Sequence, residues 1–258
     1  MSWEEFERSP ARFGWKHEYW DGCAHLTPME THVCASVKVE HREFQIRQRF
    51  ASRPVTADDA EALIACFVET FEDGVEFCDW RPEDILRQAR RKITGYFVGR
   101  QGAASDVSRC ALTDNGEVIA AALIAEHTDA AVLDLLMVRP RFRRQGLAQA
   151  SAGHAMNELY ARGIRTLRSM YAICNEQSTA WHEGFGFREL PDLGLANLRR
   201  SYFAGEMRRC EVDASVSAAE RERLCRQYDF WKLRAAELEA ICERDGFDAV
   251  TPLRQFTW

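Results

Sequence analysis

The sequence predicts an α/β fold, and three observations carry that prediction. Between residues 51 and 192, amphipathic helical patterns alternate with short apolar strand patterns. The steps Asp21-Gly22 and Asp114-Asn115-Gly116 supply the positive φ angles that tight turns between strands need. A strand pattern ending at Val138 passes through a turn at Pro140 into a helix that begins at about Gly146. The 258 residues suffice for one large domain or for a medium domain with extensions.

Taken in order, residues 1–50 read as a short helix followed by strands. Trp15 to Trp20 and Cys23 to Leu26 flank the Asp-Gly step and predict a hairpin, and Val33, Ala35, Val37 and Val39 alternate as a half-buried strand does. Residues 51–192 form the α/β unit. Thr56 to Asp59 cap a helix whose apolar face holds Ala60, Leu63, Ile64, Phe67 and Phe71, and Pro82 opens a second helix that runs to about Tyr96. Strands follow near 107–113, 117–125 and 131–138. Next come a helix from Gly146 to about Arg162, a strand from Thr166 to Ile173, a short helix from Ser178 to Glu183, and a final extended piece, 187–190. Residues 193–258 read as a helical extension. Within it Leu224, Tyr228, Trp231, Ala235, Leu238 and Cys242 recur at a 3.5-residue spacing and form one apolar seam. That seam either pairs two chains into a homodimer or packs on its own domain. Residues 195–209 suit a helix somewhat better than a strand.

Bulk properties exclude several function classes. No run approaches the roughly 18–20 apolar residues of a membrane span. The segment Met1 to Arg8 is acidic and amphipathic rather than an apolar leader, so a cytoplasmic protein is expected. The net charge of −6 argues against a nucleic-acid partner and suits a cationic or amine substrate. Nine cysteines without a C-x-x-C pair predict mostly buried thiols rather than disulfides or a metal site.

The segment Val138-Arg139-Pro140-Arg141-Phe142-Arg143-Arg144-Gln145-Gly146-Leu147-Ala148 carries the densest chemical signal. Unpaired N–H groups at a helix start, together with the positive end of the helix dipole, form a site for pyrophosphate. Gly146 and Ala148 are small enough for close backbone approach, and Arg143 and Arg144 add positive charge. After the next strand comes Asn175-Glu176-Gln177-Ser178-Thr179-Ala180-Trp181-His182-Glu183-Gly184-Phe185-Gly186-Phe187. There Asn175 and Ser178 offer polar groups to a cleft between adjacent strands, and Trp181 and His182 lie on the helix that would wall it.

In this order and spacing, the two segments resemble the GNAT superfamily of N-acetyltransferases over residues 51–192. The resemblance implies a mixed, mostly antiparallel central sheet with helices on both faces, to which the hairpin and the long C-terminal helix are additions. It also implies acetyl-CoA as cosubstrate, held in a gap between two parallel strands at 131–138 and 166–173. Backbone groups of Met137 and Val138 would pair with the pantetheine arm. The N–H groups from Arg143 through Arg144, Gln145, Gly146 and Leu147 to Ala148 would hold the pyrophosphate. Asn175 would bind the arm or a nearby water, with Ser178 beside it. The family sheet usually closes with a seventh strand after the Gly-Phe segment; here a helical pattern stands in that place, and the spare strands lie at the N-terminus. Trp15, Tyr19 and Trp20 would then be buried anchors of an N-terminal unit that pairs with a sheet edge or packs on the long C-terminal helix.

The implied reaction is direct attack of an amine on the thioester, which needs a base and often an acid for the thiolate. Asp134 is the candidate base. Strand alternation would set it with Leu136 and Val138, opposite Leu133, Leu135 and Met137. Glu126 is the reserve. His182 stands where the family commonly has a tyrosine acid, and it is either that acid or a packed residue. A binding module that holds acyl-CoA with weak or no catalysis is the alternative reading, and the acceptor amine is not specified by any residue.

Overall fold

A computed structural model describes residues 1–43, 50–100, 102–127 and 130–251. The chain forms two compact units, each assembled from separate pieces of sequence. One comprises Met1–Cys34, Tyr171–Glu176 and Glu189–Trp258; the other comprises Ala35–Met170 and Gln177–Arg188.

The second unit is built on a mixed sheet. Its strands are β3 (His32–Lys38), β4 (Ala51–Pro54), β5 (Ala103–Ala104), β6 (Arg109–Leu112), β7 (Val118–Glu126), β8 (Ala131–Val138), β9 (Thr166–Ala172) and β10 (Arg188–Glu189). The order is β10-β3-β9-β8-β7-β6-β4, with β5 beside β7, and β3, β9 and β10 each run across the division between the units. The pairs β4–β6, β6–β7, β5–β7 and β7–β8 are antiparallel, and β8–β9 is parallel. The mixed, mostly antiparallel sheet expected from the sequence is therefore present. The short strands β4 and β5 escaped sequence reading because Ala51-Ser52-Arg53-Pro54 and a two-residue bridge show no alternation.

Helices cover both faces of the sheet. The helices α2 (Ala60–Phe71) and α3 (Pro82–Phe97) bury Leu63, Phe67, Ile85, Ala89 and Ile93 against Cys110, Val118, Ala121, Leu123 and Met137. On the other face, Leu147 of α4 (Leu147–Ala161) packs with Ala111, Ile119, Ala120 and Val138. Adjacent residues Ile119 and Ala120 share a face because Leu112 pairs with Val118 while Ala111 pairs with Ala120, leaving Ile119 as the extra residue of a bulge.

The first unit contains α1 (Trp3–Arg8), the hairpin β1 (Trp15–Trp20) and β2 (Cys23–Pro28), and the helices α6 (Leu193–Val212) and α7 (Ala218–Asp245). The hairpin pairs in the register its Asp-Gly turn predicts, with Trp20 opposite Cys23. Residues 195–209 are helical, as the sequence favours. The α7 seam of Leu224, Trp231, Ala235 and Leu238 packs with Ala196, Phe203 and Cys210 of α6. Of the two readings of the seam, packing within the chain is the one observed. The buried-anchor expectation needs correcting. Trp20 is 46% exposed and stacks on His25, while Tyr19 packs its ring on Trp3 and Phe6. The N-terminal segment reaches α6 through Ala11 N–H to Glu206 at 2.9 Å and Tyr202 Oη to Ala11 O at 3.2 Å, and β3 pairs within the sheet, one of the two placements expected for the N-terminal unit. Of the nine cysteines, Cys66, Cys110, Cys174 and Cys210 are buried, fewer than the mostly buried set expected. No helix among the described residues is long and apolar enough to cross a membrane.

Candidate active site

The site begins where a ladder stops. Strands β8 and β9 pair only at Ala131 with Leu167, Val132 with Arg168, and Leu133 with Ser169. Beyond that point Asp134 to Leu136 of β8 are half-buried, whereas Ala131 to Leu133 are fully buried. Two parallel strands that separate after three pairs leave backbone N–H and C=O groups facing the gap, and an extended ligand can satisfy them as a strand would. Met137 and Val138 lie beyond the last β8–β9 pair; Met137 is fully buried and Val138 packs toward α4.

Asp134 stands at the separation point. Leu123 pairs with Leu135 and Ile124 with Leu133, so Asp134 is the extra residue of a second bulge. The bulge breaks the strict alternation expected for this strand. Asp134 reaches Lys92 on α3, the same face on which Leu135 and Met137 pack, instead of sharing a face with Val138. Lys92 Nζ lies 2.8 Å from Asp134 Oδ1, and the two side chains are 11% and 6% exposed. The reserve candidate Glu126 accepts from Ser105 Oγ and pairs with Arg162 at the far end of β7.

The loop after β8 is built from its own arginines. A 3-10 turn, Pro140–Phe142, follows Val138; Arg144 then adopts φ +61° and Gly146 φ +83°. The left-handed conformation costs a non-glycine residue about 1–2 kcal/mol, so the loop holds strain at Arg144 and uses glycine where α4 begins. No side chain caps α4, so the N–H groups of its first turn, Leu147, Ala148 and Gln149, remain available to an anion. Arg139 is 7% exposed and held by Glu69 and Glu117, and Arg141 also pairs with Glu117. Arg143 Nη2 donates to Thr70 O at 2.7 Å in the last turn of α2. Arg144 is exposed and has no ion-pair partner among the described residues. Gln145 Nε2 reaches Arg141 O at 3.5 Å, and its buried Oε1 is unpartnered.

The helix α5 (Glu176–Phe185) starts two residues earlier than expected, which places Ser178 inside its first turn. His182 is buried, with Nδ1 2.8 Å from the Ser178 carbonyl and Nε2 2.9 Å from Ser169 Oγ. A carbonyl only accepts, so Nδ1 carries the proton and Nε2 accepts from the Ser169 hydroxyl. Burial pushes the imidazole down to about 4, against a smaller opposing effect of the Ser178 hydrogen bond. At neutral pH the ring is neutral and both its nitrogens are engaged, which favours the packing role over the acid role. Ser169 is the last residue of β9 paired with β8, so this chain of hydrogen bonds ends beside Asp134. Asn175 lies in the first unit, where its N–H donates to Ala172 O at 3.0 Å and closes the turn before α5.

Two residues of this site were not found by sequence reading. Ser169 was hidden as one polar residue in an alternating strand. Lys92 carried a signal, since it is the one lysine between residues 39 and 231.

A sequence profile described as the acetyltransferase (GNAT) family matches residues 61–187. The ribosomal protein bS18-alanine N-acetyltransferase of Salmonella typhimurium is 32% identical over 107 residues, which cover 42% of this chain and 67% of that protein. The chain belongs to the GNAT acetyltransferase family. Its Escherichia coli K12 relative of the same description is 36% identical over 92 residues, and there the match spans 36% of this chain and 58% of the relative's length. Among solved structures, the PaiA N-acetyltransferase of Thermoplasma acidophilum in complex with coenzyme A is 16% identical, covers 55% of this chain and 91% of that one, and has a TM-score of 0.47. Within this GNAT chain, the matched segment holds the separated strands, the loop, α4 and α5.

Proposed function

We propose that this chain transfers an acetyl group from acetyl-CoA to an amine by direct attack. The observation that carries the reading is the early end of the β8–β9 ladder beside an uncapped helix start. The two features fit the two ends of one ligand: an amide-bearing arm for the open strand backbone, and a pyrophosphate for the first-turn N–H groups of α4. When bound, acetyl-CoA supplies the activated acyl group. Met137 and Val138 offer backbone partners to the arm, and Arg144 with Gly146, Leu147 and Ala148 receives the pyrophosphate. Asn175 and Ser178 remain the proposed polar contacts from the second segment.

The chain's own part in the chemistry is proton handling at the separation point. Asp134 accepts a proton from the acceptor's ammonium, which frees the nitrogen lone pair to form the new C–N bond while the C–S bond breaks. A second proton leaves the nitrogen and ends on the departing sulfur by way of water, with His182 neutral and occupied. The acceptor is a primary amine. The alanine amine named for the bacterial relatives makes a peptide with N-terminal alanine the first acceptor to try, beside free polyamines and lysine peptides.

Release of free thiol from acetyl-CoA across that acceptor panel tests the reading, together with calorimetric titration of acetyl-CoA. Gly146→Asp puts a side chain and a negative charge at the helix start and should weaken binding at least tenfold, about 1.4 kcal/mol or more. Equal affinity in a folded Gly146→Asp variant would falsify the pyrophosphate assignment. Thiol release that no amine accelerates would favour a binding module over an acetyltransferase.

A further inference from the structure

The chain carries 30 arginines and four lysines, at positions 16, 38, 92 and 232. Lys16, Lys38 and Lys232 are exposed, as solvated charges usually are. Lys92 is the exception, enclosed with Asp134 at the end of the β8–β9 ladder. Its choice over arginine has a physical consequence. A guanidinium binds a carboxylate through both oxygens, whereas an ammonium is a point charge that can engage one. Here Lys92 engages Oδ1, and Asp134 Oδ2 is buried without a hydrogen-bond partner. A buried, unpartnered carboxylate oxygen is costly to maintain in a finished structure, so it marks a place where another donor belongs.

The other groups around Asp134 are neutral or directed elsewhere. On α3, the Tyr96 hydroxyl is raised by burial and bonded to Ser108 Oγ at 2.6 Å. On α2, the Cys66 thiol is pushed up to about 11 by burial, and Glu69 is turned to Arg139. On β7, the residues flanking the bulge are Leu123 and Ile124. On β9, the Ser169 hydroxyl lies 2.9 Å from Nε2 of the neutral His182 and 3.3 Å from the Leu133 carbonyl. Lys92 is therefore the one cation that faces the carboxylate among the described residues.

We propose that Lys92 is a positioning residue for the transfer, fixing Asp134 through one oxygen and leaving the other to receive the acceptor's proton. The inference rests on the reading of Asp134 as the base and adds the group that makes it competent. Without the ammonium, Asp134 loses the ion-pair partner that orients it on the face where Leu135 and Met137 pack.

The test compares the wild type with Lys92→Met, Lys92→Arg and Asp134→Asn, measuring kcat/KM against pH with one amine acceptor. Acetyl-CoA titration and a thermal melt confirm that each variant is folded, and Lys92→Gln replaces the methionine variant if that one does not fold. Lys92→Met should move the acid limb of the profile upward by about one pH unit or more, so that activity lost near neutrality returns at higher pH. Lys92→Arg should keep the limb near its wild-type position, and Asp134→Asn should remove it along with most of the rate. Infrared difference spectra against Asp134→Asn give a readout independent of turnover: a protonated carboxyl band at neutral pH in Lys92→Met and none in the wild type. A wild-type limb and no such band in Lys92→Met overturn the role of Lys92, while an inactive Asp134→Asn leaves the base reading standing. Wild-type rates in Asp134→Asn overturn both.

Discussion

Strand β9 has two sides, and they are finished in opposite ways. Toward β8 its ladder ends after Ser169, and the half-buried run Asp134 to Leu136 begins there. Toward β3 the ladder is bracketed at both ends, by Ile173 N–H to Thr31 O at 2.9 Å and by Val39 N–H to Arg165 O at 3.0 Å. These two bonds fix β3 as antiparallel to β9, and Val33, Ala35, Val37 and Val39 are all buried. One side of a strand is thus left open in a protein that closes the other with a segment taken from its N-terminus. Unpaired backbone in a sheet costs stability unless a partner supplies the missing bonds. The open side is therefore confined to the few residues where a ligand can serve as that partner.

After the Gly-Phe segment this chain forms only the two-residue β10 and then the 20-residue helix α6. The place between β9 and β10 is taken by β3. Removing residues 1–40 is the largest perturbation this contrast allows, since it takes out a strand from inside the sheet rather than a covering flap. The shortened chain should fail to give a soluble, cooperatively melting protein, as judged by size-exclusion chromatography and a circular-dichroism melt. If it stayed monodisperse and melted with the full-length chain, β3 would be dispensable and the two sides of β9 would be equivalent.

A smaller effect should come from His182, which links β9 to α5 at the boundary between the paired and open parts. Its folded-state value of about 4 lies below the ordinary 6.5. The unfolded chain therefore takes up a proton that the folded chain refuses as pH falls through 6.5. The stability present above that value should decline between pH 6.5 and about 4, by about 3 kcal/mol at most. Urea unfolding of the wild type and His182→Phe across this range measures it, and the phenylalanine variant should show a shallower decline. Its pH–rate profile should keep the wild-type shape, because a ring that is neutral near pH 7 donates no proton there. A limb that disappears in His182→Phe would restore the acid role.

Much of this fold was legible in the sequence, for reasons that individual residues show. The Asp21-Gly22 hairpin, the Pro82 helix start and the Gly146 helix start each depend on local backbone chemistry, and each appears where that chemistry placed it. What escaped depends on pairing between distant segments. The position of β3 inside the sheet cannot be read from its alternation, which is the same for an edge strand and an interior one. The bulge at Asp134 is a relation between two strands, and it changed the face on which the candidate base lies. Lys92 and Asp134 are 42 positions apart and meet only because α3 crosses β8.

The smallest expected effect separates two neighbours that are equivalent in the sequence. Arg143 and Arg144 both looked like pyrophosphate ligands, yet Arg143 donates to the Thr70 carbonyl in the last turn of α2. Carbonyls at a helix C-terminus lack partners within the helix, and a charged donor there stabilises the end by roughly 1 kcal/mol. Arg144 has no such engagement among the described residues, and its φ of +61° turns the backbone at the loop's tightest point. Arg143→Ala should therefore lower the melting temperature, while its main effect on acetyl-CoA is indirect. Arg144→Ala should leave the melt unchanged, since alanine meets the same backbone cost at positive φ. It should weaken acetyl-CoA binding by about 0.5–1 kcal/mol, the scale of one exposed charge pair, and the loss should shrink as salt is added. Calorimetric titration at two salt concentrations, beside thermal melts of both variants, reads each quantity separately. If Arg143→Ala loses affinity with an unchanged melt, the bond to Thr70 gives way when the ligand arrives and Arg143 joins Arg144 at the phosphates.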